Sequence, residues 1–167
     1  MIVSLIAAVA KNGVIGIKGD LPWSLPNDMK FFSKTTRGHH VLMGRKNYDS
    51  IPDKFRPLPG RPNLVVTRGG LGFAEGAYGF ASILDAIDFA KANGETELFV
   101  IGGGEIYAQT MDIADRVYLT EIEASIDGDT VFPDFKRENW TKELLLEQSK
   151  DDVHNFAFKT YCYLRKH

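Results

Sequence analysis

The chain has 167 residues, 44% of them hydrophobic and 25% charged, which is ordinary for a globular protein that folds as one domain with a substantial core. Its net charge of −2 excludes the broad basic field that attracts nucleic acid or anionic membranes, so an anionic ligand would need a few well-placed arginines or lysines. The single cysteine, Cys162, excludes an internal disulfide, and the four histidines lack metal-ligand spacing, so we predict no metal site.

The first apolar run, residues 2–10, is too short to cross a bilayer, which takes about 20 residues, and no basic region precedes it as in a signal peptide. It predicts a buried central strand, followed by a loop over 12–22. Pro26 suits the first turn of a helix that runs to about Thr35. We therefore expect a cytoplasmic protein with neither a membrane nor a nucleic acid as partner.

Strands and helices alternate along the rest of the chain. Apolar runs predict strands at 40–44, 63–67, 98–101 and 117–120, with helices beginning at Arg45, after Ser82 and after the glycines 102–104. The alternating tail, 156–164, predicts a strand paired with 140–149, and the glycine-rich stretch 69–79 predicts a variable loop. This order predicts an α/β fold in a single domain, 1–167, with a mostly parallel central sheet, an antiparallel C-terminal edge and helices on both faces.

Asp28 is the most informative single residue. It lies in the segment Leu21-Pro22-Trp23-Ser24-Leu25-Pro26-Asn27-Asp28-Met29-Lys30-Phe31-Phe32, on the first turn of the predicted helix. The simplest interpretation is an exposed acid favoured by the helix dipole. If Asp28 instead faces inward with Phe32, its carboxyl lies in an apolar pocket and has a perturbed pKa, as functional acids do.

Three predicted strand ends carry groups suited to anions. Gly44-Arg45-Lys46 follows one strand, Thr67-Arg68 ends another, and Gly102-Gly103-Gly104 joins a third strand to a helix. Each is weak evidence alone, because surface arginines are common and the glycines match neither a dinucleotide fingerprint nor a phosphate-binding loop. Together they indicate a ligand site at the carboxyl ends of parallel strands, where glycine backbone allows close approach.

Short motifs in a fixed order then identify a family. They are Ile6-Ala7-Ala8, Val14-Ile15-Gly16, Leu21-Pro22-Trp23-x-Leu25-Pro26-x-Asp28-x-x-x-Phe32, Met43-Gly44-Arg45-Lys46, Tyr48-x-Ser50-Ile51, Leu58-Pro59-Gly60-Arg61-x-Asn63, Ile101-Gly102-Gly103-Gly104-x-x-Tyr107, Leu119-Thr120 and Gly128-Asp129-Thr130-x-Phe132-Pro133. With these motifs the chain resembles bacterial dihydrofolate reductase over essentially its full length.

The resemblance implies an oxidoreductase of one-carbon metabolism and tetrahydrofolate biosynthesis, with NADPH as cofactor and dihydrofolate as substrate. Hydride would pass to C6 of the pterin, and N5 would take a proton. It also implies inhibition by antifolates such as methotrexate or trimethoprim. We expect a monomer, because the sequence shows no heptad or other interface pattern. Asp28 would anchor the amidine-like edge of the pterin through two parallel hydrogen bonds and promote N5 protonation, and Thr120 would support the same edge.

The resemblance also implies roles for further residues. Leu21, Trp23 and Tyr107 would lie with Asp28 around the reacting groups. The pterin and benzoyl pocket would contain Ile6, Ala8, Leu21, Met29, Phe32, Ile51, Leu58 and Ile101, with Arg61 on the α-carboxylate of the glutamate tail. Cofactor contacts would come from Ala8, Ile15, Gly44, Arg45, Lys46, Asn47, Ser50, Thr67, Arg68, Gly102, Gly103, Gly104, Glu105, Ile106 and Tyr107, with Arg45, Thr67 and Arg68 holding the 2′-phosphate.

The resemblance extends to the backbone. Gly102-Gly103 matches a cis glycyl peptide of the family, the loop 12–24 matches a mobile lid, and Asp129 would hydrogen-bond the lid backbone. The chain departs from the family pattern at Asn47, where threonine is usual, and in 52–56, which is longer than in the shortest bacterial members.

Three alternatives remain on the sequence alone. A pyrimidine reductase of riboflavin synthesis would share the glycine turn but lack the Trp-x-Leu-Pro-x-Asp segment, so Asp28 and Arg61 count against it. A non-catalytic pterin- or nucleotide-binding module is a second alternative, although every catalytic position is filled. A nucleic-acid-binding protein is disfavoured by the charge balance.

Overall fold

The computed structural model describes residues 1–16, 23–69 and 75–167. Within these residues, eight strands form one sheet in the order β5-β4-β3-β6-β1-β7-β10-β9, and β2 and β8 form a separate two-stranded ribbon. The strands are β1 (Ile2–Ala10), β2 (Val14–Gly16), β3 (Val41–Gly44), β4 (Asn63–Val66), β5 (Ala77–Phe80), β6 (Glu97–Gly102), β7 (Arg116–Ile122), β8 (Thr130–Val131), β9 (Trp140–Gln148) and β10 (Phe158–Arg165). The helices are α1 (Pro26–Thr36), α2 (Arg45–Ser50), α3 (Ile83–Ala92) and α4 (Gly104–Thr110).

The predicted fold class is confirmed. Strand β1 pairs in parallel with β6 on one side and with β7 on the other, and parallel pairing continues through β3, β4 and β5. Strands β10 and β9 then pair antiparallel and form the predicted C-terminal hairpin. The apolar run of β1 occupies the middle of the sheet because a central parallel strand is covered on both faces.

Helices cover both faces of the sheet, and alternate residues of β1 divide between them. Leu5 packs with residues of α3 and α4, including Ala86 and Ile106. Ile6 packs on the opposite face with residues of α1 and α2, including Phe32 and Tyr48. Asp28 is therefore presented toward the face to which Ile6 belongs.

Local sequence signals fix several boundaries. Helix α3 starts as predicted, with the Ser82 hydroxyl accepting a hydrogen bond of 3.1 Å from the backbone N–H of Asp85. Helix α1 begins at Pro26, whose fixed φ angle suits a first helical turn. Its N-cap is Leu25, whose side chain has no atom that could accept a hydrogen bond from the first turn.

Two predicted loops contain strands. Val14–Gly16 within the predicted loop 12–22 forms β2 and pairs antiparallel with β8, more than 110 residues away. Ala77–Phe80 within the predicted loop 69–79 forms β5, the parallel edge strand beside β4. Both are short, and each is stabilised by pairing with another segment, so local alternation of polarity could not reveal them. Among the residues described, none of the helices has both the length and the apolar character needed to cross a membrane.

Candidate active site

Asp28 faces the sheet and joins a line of hydroxyl groups. Its Oδ1 accepts a hydrogen bond of 2.8 Å from Thr120 Oγ1 in β7, and Thr120 Oγ1 lies 2.7 Å from Thr160 Oγ1 in β10. Both threonines are buried. Because the Thr120 proton is directed to Asp28, Thr160 must donate to Thr120, so the three side chains form one oriented chain.

Two opposing effects act on the Asp28 carboxyl. Burial raises its pKa above the ordinary value, and the hydrogen bond from Thr120 lowers it, with burial the larger effect. The side chain is therefore a desolvated acid with a raised pKa, and not an exposed acid that merely complements the helix dipole. Such a carboxyl can still ionise, and when ionised it can accept two parallel hydrogen bonds from a planar cationic or amidine-like group.

Most of the predicted apolar pocket is assembled on the same face of the sheet. Ile6 is buried at its centre, and the partly buried side chains that pack around it include Phe32, Ile51, Leu58 and Ile101. Five predicted pocket residues from five separate segments thus meet in one cluster.

Other predicted residues of this region do not belong to that cluster. Ala8 and Trp23 pack in the neighbouring cluster around Leu25. Met29 is 53% exposed on α1, so its place in the pocket stays a prediction. Leu21 lies outside the described residues.

Tyr107 is held by the backbone of β1. Its hydroxyl donates a hydrogen bond of 2.7 Å to the carbonyl of Ile6, and its side chain is buried. Burial, and next the negative charge of Asp28, raises the pKa of the phenol, so Tyr107 stays protonated and Asp28 is close enough to influence it. Tyr107 therefore acts here as a fixed hydrogen-bond donor to a strand beneath the pocket.

The three predicted strand ends lie side by side. In the parallel register Gly44 is opposite Val66, and Met43 is opposite Gly102, so the segments that follow β3, β4 and β6 emerge from neighbouring positions at one edge of the sheet. This edge carries Arg45 and Lys46 after β3, Thr67 and Arg68 after β4, and Gly103 and Gly104 after β6. The predicted convergence of cations and glycines is present.

Glycine is required at two positions of the β6–α4 turn. Gly102 has φ +116°, and a Cβ there would lie 3.1–3.2 Å from the Tyr107 ring. A Cβ at Gly104 would lie 2.8 Å from Thr130 Cγ2. At Gly103, by contrast, no described atom lies within 4 Å of an added Cβ. The Gly102–Gly103 peptide bond is cis, in agreement with the resemblance.

Several polar side chains at this edge have defined partners. Arg45 Nε lies 3.1 Å from Asp49 Oδ1, and both side chains are largely exposed. Thr67 is buried, and its hydroxyl accepts a hydrogen bond from the backbone N–H of Gly69. Lys46 and Arg68 are exposed, and Ser50 Oγ donates to the Asn47 carbonyl.

Asn47 links two of the strand ends. Its Nδ2 donates a hydrogen bond of 3.1 Å to the carbonyl of Ile101, the residue before Gly102 at the end of β6. The departure from the family pattern therefore adds a tie between α2 and β6. The predicted contact of Asn47 with a cofactor pyrophosphate stays a prediction, since an amide nitrogen has a second proton to donate.

Three other predicted cofactor positions differ in burial. Ile15 in β2 and Ile106 in α4 are buried in the core cluster on the Leu5 face. Glu105 is exposed on the first turn of α4. Ile106 also lies against Gly44, because a Cβ there would be 3.2 Å from Ile106 Cγ1.

Arg61 is buried and oriented by its neighbours. Its Nε donates to the Pro59 carbonyl at 2.8 Å, and Nη1 donates to Thr36 Oγ1 at 2.9 Å. Burial, and next the charge of Arg37, lowers the pKa of Arg61. A guanidinium that is both desolvated and next to a second cation favours an anionic partner such as a carboxylate.

Two residues that shape the site received no role from the sequence. Asn63 is fully buried and its side chain bonds the backbone of Leu58 and Arg61, which folds the turn that carries Arg61. A polar residue opening an apolar strand was the available signal. Thr160 was noted only for its place in the alternating tail, although a hydroxyl among apolar neighbours needs a partner.

The first part of the predicted lid, which contains β2, is tied to β8 and to the residue before it. Asp129 donates its backbone N–H to the Gly16 carbonyl at 3.1 Å, and its side chain accepts a hydrogen bond from Thr130 Oγ1. Residues 17–22 of the predicted lid lie outside the described residues. A contact of the Asp129 side chain with the lid backbone stays a prediction.

Comparison with known proteins agrees with this geometry. The chain matches the family model of dihydrofolate reductase over residues 2–165. It is 38% identical over 164 residues to dihydrofolate reductase of Bacillus subtilis, which covers 98% of this chain and 95% of that protein. It is 43% identical over 157 residues to dihydrofolate reductase type 3 of Salmonella typhimurium, 94% of either chain.

A solved structure extends the agreement to the fold. Dihydrofolate reductase from Enterococcus faecalis, in a complex with NADP(H) and RAB-propyl, matches with a TM-score of 0.89 at 30% identity, over 99% of this chain and 97% of that one. The chain therefore belongs to the dihydrofolate reductase family of oxidoreductases.

Proposed function

We propose that this protein reduces 7,8-dihydrofolate to 5,6,7,8-tetrahydrofolate with NADPH, by hydride transfer to C6 and protonation at N5 of the pterin. The product would serve one-carbon metabolism. The observation that carries the proposal is the desolvated Asp28 carboxyl, oriented by Thr120 at the mouth of an apolar cluster.

Asp28 suits the chemistry of a pterin. The pterin presents a ring N–H and an exocyclic amino group side by side, and one carboxylate can accept from both. The apolar side chains around Ile6 would hold the flat ring and exclude water. Binding the ring in this way would fix the orientation of C6, the reacting carbon. This orientation would account for much of the rate enhancement.

Asp28 would also promote protonation at N5. Its negative charge stabilises positive charge on the ring that it binds, and the Thr120–Thr160 chain keeps that carboxyl in one orientation. The raised pKa brings the carboxyl nearer to the range in which it exchanges protons with water near neutral pH.

The edge formed by β3, β4 and β6 fits a phosphorylated dinucleotide. Arg45, Thr67 and Arg68 would hold a 2′-phosphate, and the open backbone at Gly103 would admit the rest of the molecule at close range. NADPH, when bound, supplies the hydride. Tyr107 would support that region through its bond to the Ile6 carbonyl.

Further assignments follow from the same proposal. Arg61 would bind the α-carboxylate of the glutamate tail. We also propose that residues 1–167 act as one cytoplasmic, monomeric domain, and that antifolates such as methotrexate or trimethoprim compete with dihydrofolate.

The direct test follows NADPH oxidation by absorbance with dihydrofolate as substrate. We expect turnover that depends on dihydrofolate and is abolished by methotrexate. A pyrimidine substrate of riboflavin synthesis serves as the competing compound. Turnover of that pyrimidine without turnover of dihydrofolate would replace the proposal with the alternative reductase.

A further inference from the structure

We propose that His154 is a positioning residue for Asp28: from the β9–β10 connection it fastens the first turn of α1, so that Asp28 meets Thr120. Only its kinetic test rests on the proposed function, because that test measures turnover of dihydrofolate. His154 belongs to none of the motifs by which the family was identified, and its position follows from contacts alone.

The first turn of α1 needs an external partner. The first N–H groups of a helix have no partners within it, and the N-cap residue Leu25 offers no side-chain acceptor. The N–H of Asn27 instead donates to His154 Nε2 at 3.2 Å. The Asn27 side chain adds a second tie, since its Nδ2 donates to Gln148 Oε1 at 2.6 Å. Both ties lie one residue before Asp28.

The imidazole has one protonation state that fits these contacts. A backbone N–H can only donate, so Nε2 must be the unprotonated nitrogen and Nδ1 carries the proton. Nδ1 lies 2.9 Å from Asp151 Oδ1, which also accepts the backbone N–H groups of Val153 and His154. His154 is 2% exposed, unusual burial for a residue in the connection of an edge hairpin. The turn at Asp151 thus fixes the ring of His154 with Nε2 toward the N–H of Asn27.

The same hairpin also sets the other side of the Asp28 contact. Strand β10 begins at Phe158, whose ring packs against the His154 ring at a centroid distance of 6.1 Å. Two residues further along β10, Thr160 lies opposite Thr120 and orients its hydroxyl. The hairpin therefore contacts both sides of the Asp28 site. His154 in its connection holds the first turn of α1, and Thr160 in β10 orients the Thr120 hydroxyl. The Asp28–Thr120 distance depends on both.

The test compares His154→Leu, which keeps the volume but removes the acceptor, with His154→Gln, whose amide oxygen can accept from Asn27. The matched control is His40→Leu. His40 is another buried histidine paired with a carboxylate, but its partner is Glu95, outside the site. Circular dichroism and urea unfolding establish that each variant is folded at the assay temperature.

Two readouts separate positioning from a merely structural role. The first is the titration of the Asp28 carboxyl by carbon NMR in the ligand-free protein. We expect it to change in His154→Leu, because both causes of its pKa shift depend on where the helix lies, and to stay as in the wild type in His154→Gln and His40→Leu. The second is kcat with dihydrofolate. We expect kcat to fall about 2–10-fold in His154→Leu, because the loss of one hydrogen bond corresponds to a change of this size. The Kd for NADPH should be unchanged.

A double variant tests whether the effect passes through Asp28. In an Asp28→Asn background, His154→Leu should cause no further loss of the residual rate. An equal loss in both backgrounds, or an unchanged Asp28 titration in His154→Leu, would overturn the inference. If His154→Leu does not fold, His154→Asn, whose amide is too short to reach Asn27, takes its place. An inactive wild type would contradict the proposed function, while the titration would still decide the role of His154.

Discussion

Burial raises the pKa of the Asp28 carboxyl and the hydrogen bond from Thr120 lowers it, and burial has the larger effect. The pKa of Asp28 is higher in the folded state than in the unfolded state, so between these two pKa values the folded state binds more protons. Stability therefore falls as the pH rises through this range and Asp28 ionises. The site therefore holds a carboxylate that the fold itself does not favour. That cost is the expected mark of a functional acid.

The two exposed arginines at the strand ends lead to a prediction about cofactor choice. Replacing Arg45 or Arg68 with alanine should lower kcat/KM for NADPH about 10-fold each, since a charge-assisted hydrogen bond contributes about 1.5–3 kcal/mol and exposure weakens it. The corresponding value for NADH should change little. Steady-state kinetics with both cofactors measures the ratio.

Lys54→Ala provides the control, because Lys54 is an exposed cation in the short helical turn Asp53–Phe55 and belongs to none of the three strand-end segments. Equal losses for NADPH and NADH in the arginine variants would contradict their assignment to the 2′-phosphate.

Single residues differ in how far the sequence could predict them. Asp28 is conspicuous because acid and aromatic residues are close in sequence. Its partners, Thr120 and Thr160, are 40 residues apart and meet only through pairing of β7 with β10. The role of His154 depends on the same hairpin, so no local pattern could reveal it.

Among the elements, the β6–α4 turn is the most constrained by sterics. Gly104 opens α4 directly beneath the β2–β8 ribbon, with Thr130 Cγ2 in the space that a side chain would need. This contact connects the proposed cofactor edge to the ribbon that contains β2, part of the predicted lid. Glycine is needed there for close packing rather than for a special backbone angle.

Gly104→Ala should therefore destabilise the protein by about 1–3 kcal/mol, the usual cost of overpacking. The combination Gly104→Ala/Thr130→Ser should recover most of the loss, because serine removes the clashing methyl and keeps the hydroxyl that bonds Asp129. Urea unfolding measures each free energy. A double variant as unstable as the single one would show that Thr130 is not the obstacle.

Elements were predictable where they carry their own signal. The apolar run 2–10 predicts strand β1, and the Ser82 cap predicts the start of α3. Strands β2 and β5 do not, because each is stabilised by a partner rather than by its own composition.

At the scale of the whole molecule, Glu95 joins the beginning of β3 to the segment before β6. Its carboxylate bonds the Nδ1 atoms of His39 and His40 at 2.7 and 2.6 Å, along with backbone N–H groups of His40, Thr96 and Glu97. Burial alone would raise the pKa of Glu95, but the hydrogen bonds from His39, His40 and Glu97 outweigh it and lower the pKa to about 2.

This depressed pKa predicts a pH dependence of stability. The contribution of Glu95 should be fully present above about pH 4.5 and be lost as the pH falls toward 2, because the unfolded state binds the proton more readily there. Its size is roughly 3 kcal/mol. Urea unfolding of Glu95→Gln and wild type at pH 6 and pH 3 should give a difference that shrinks at the lower pH. A constant difference would contradict the assignment.

The pH–rate profile of Asp28→Asn tests whether the Asp28 carboxylate promotes the reduction of dihydrofolate. At pH 7 the variant should be folded and its rate reduced by about 10²-fold or more, since a positioned acid or base typically contributes 10²–10⁴-fold. The deficit should narrow as the pH falls, because the solvent then protonates the substrate without help. A variant with the wild-type rate at pH 7, or with a deficit that is the same at every pH, would contradict this role.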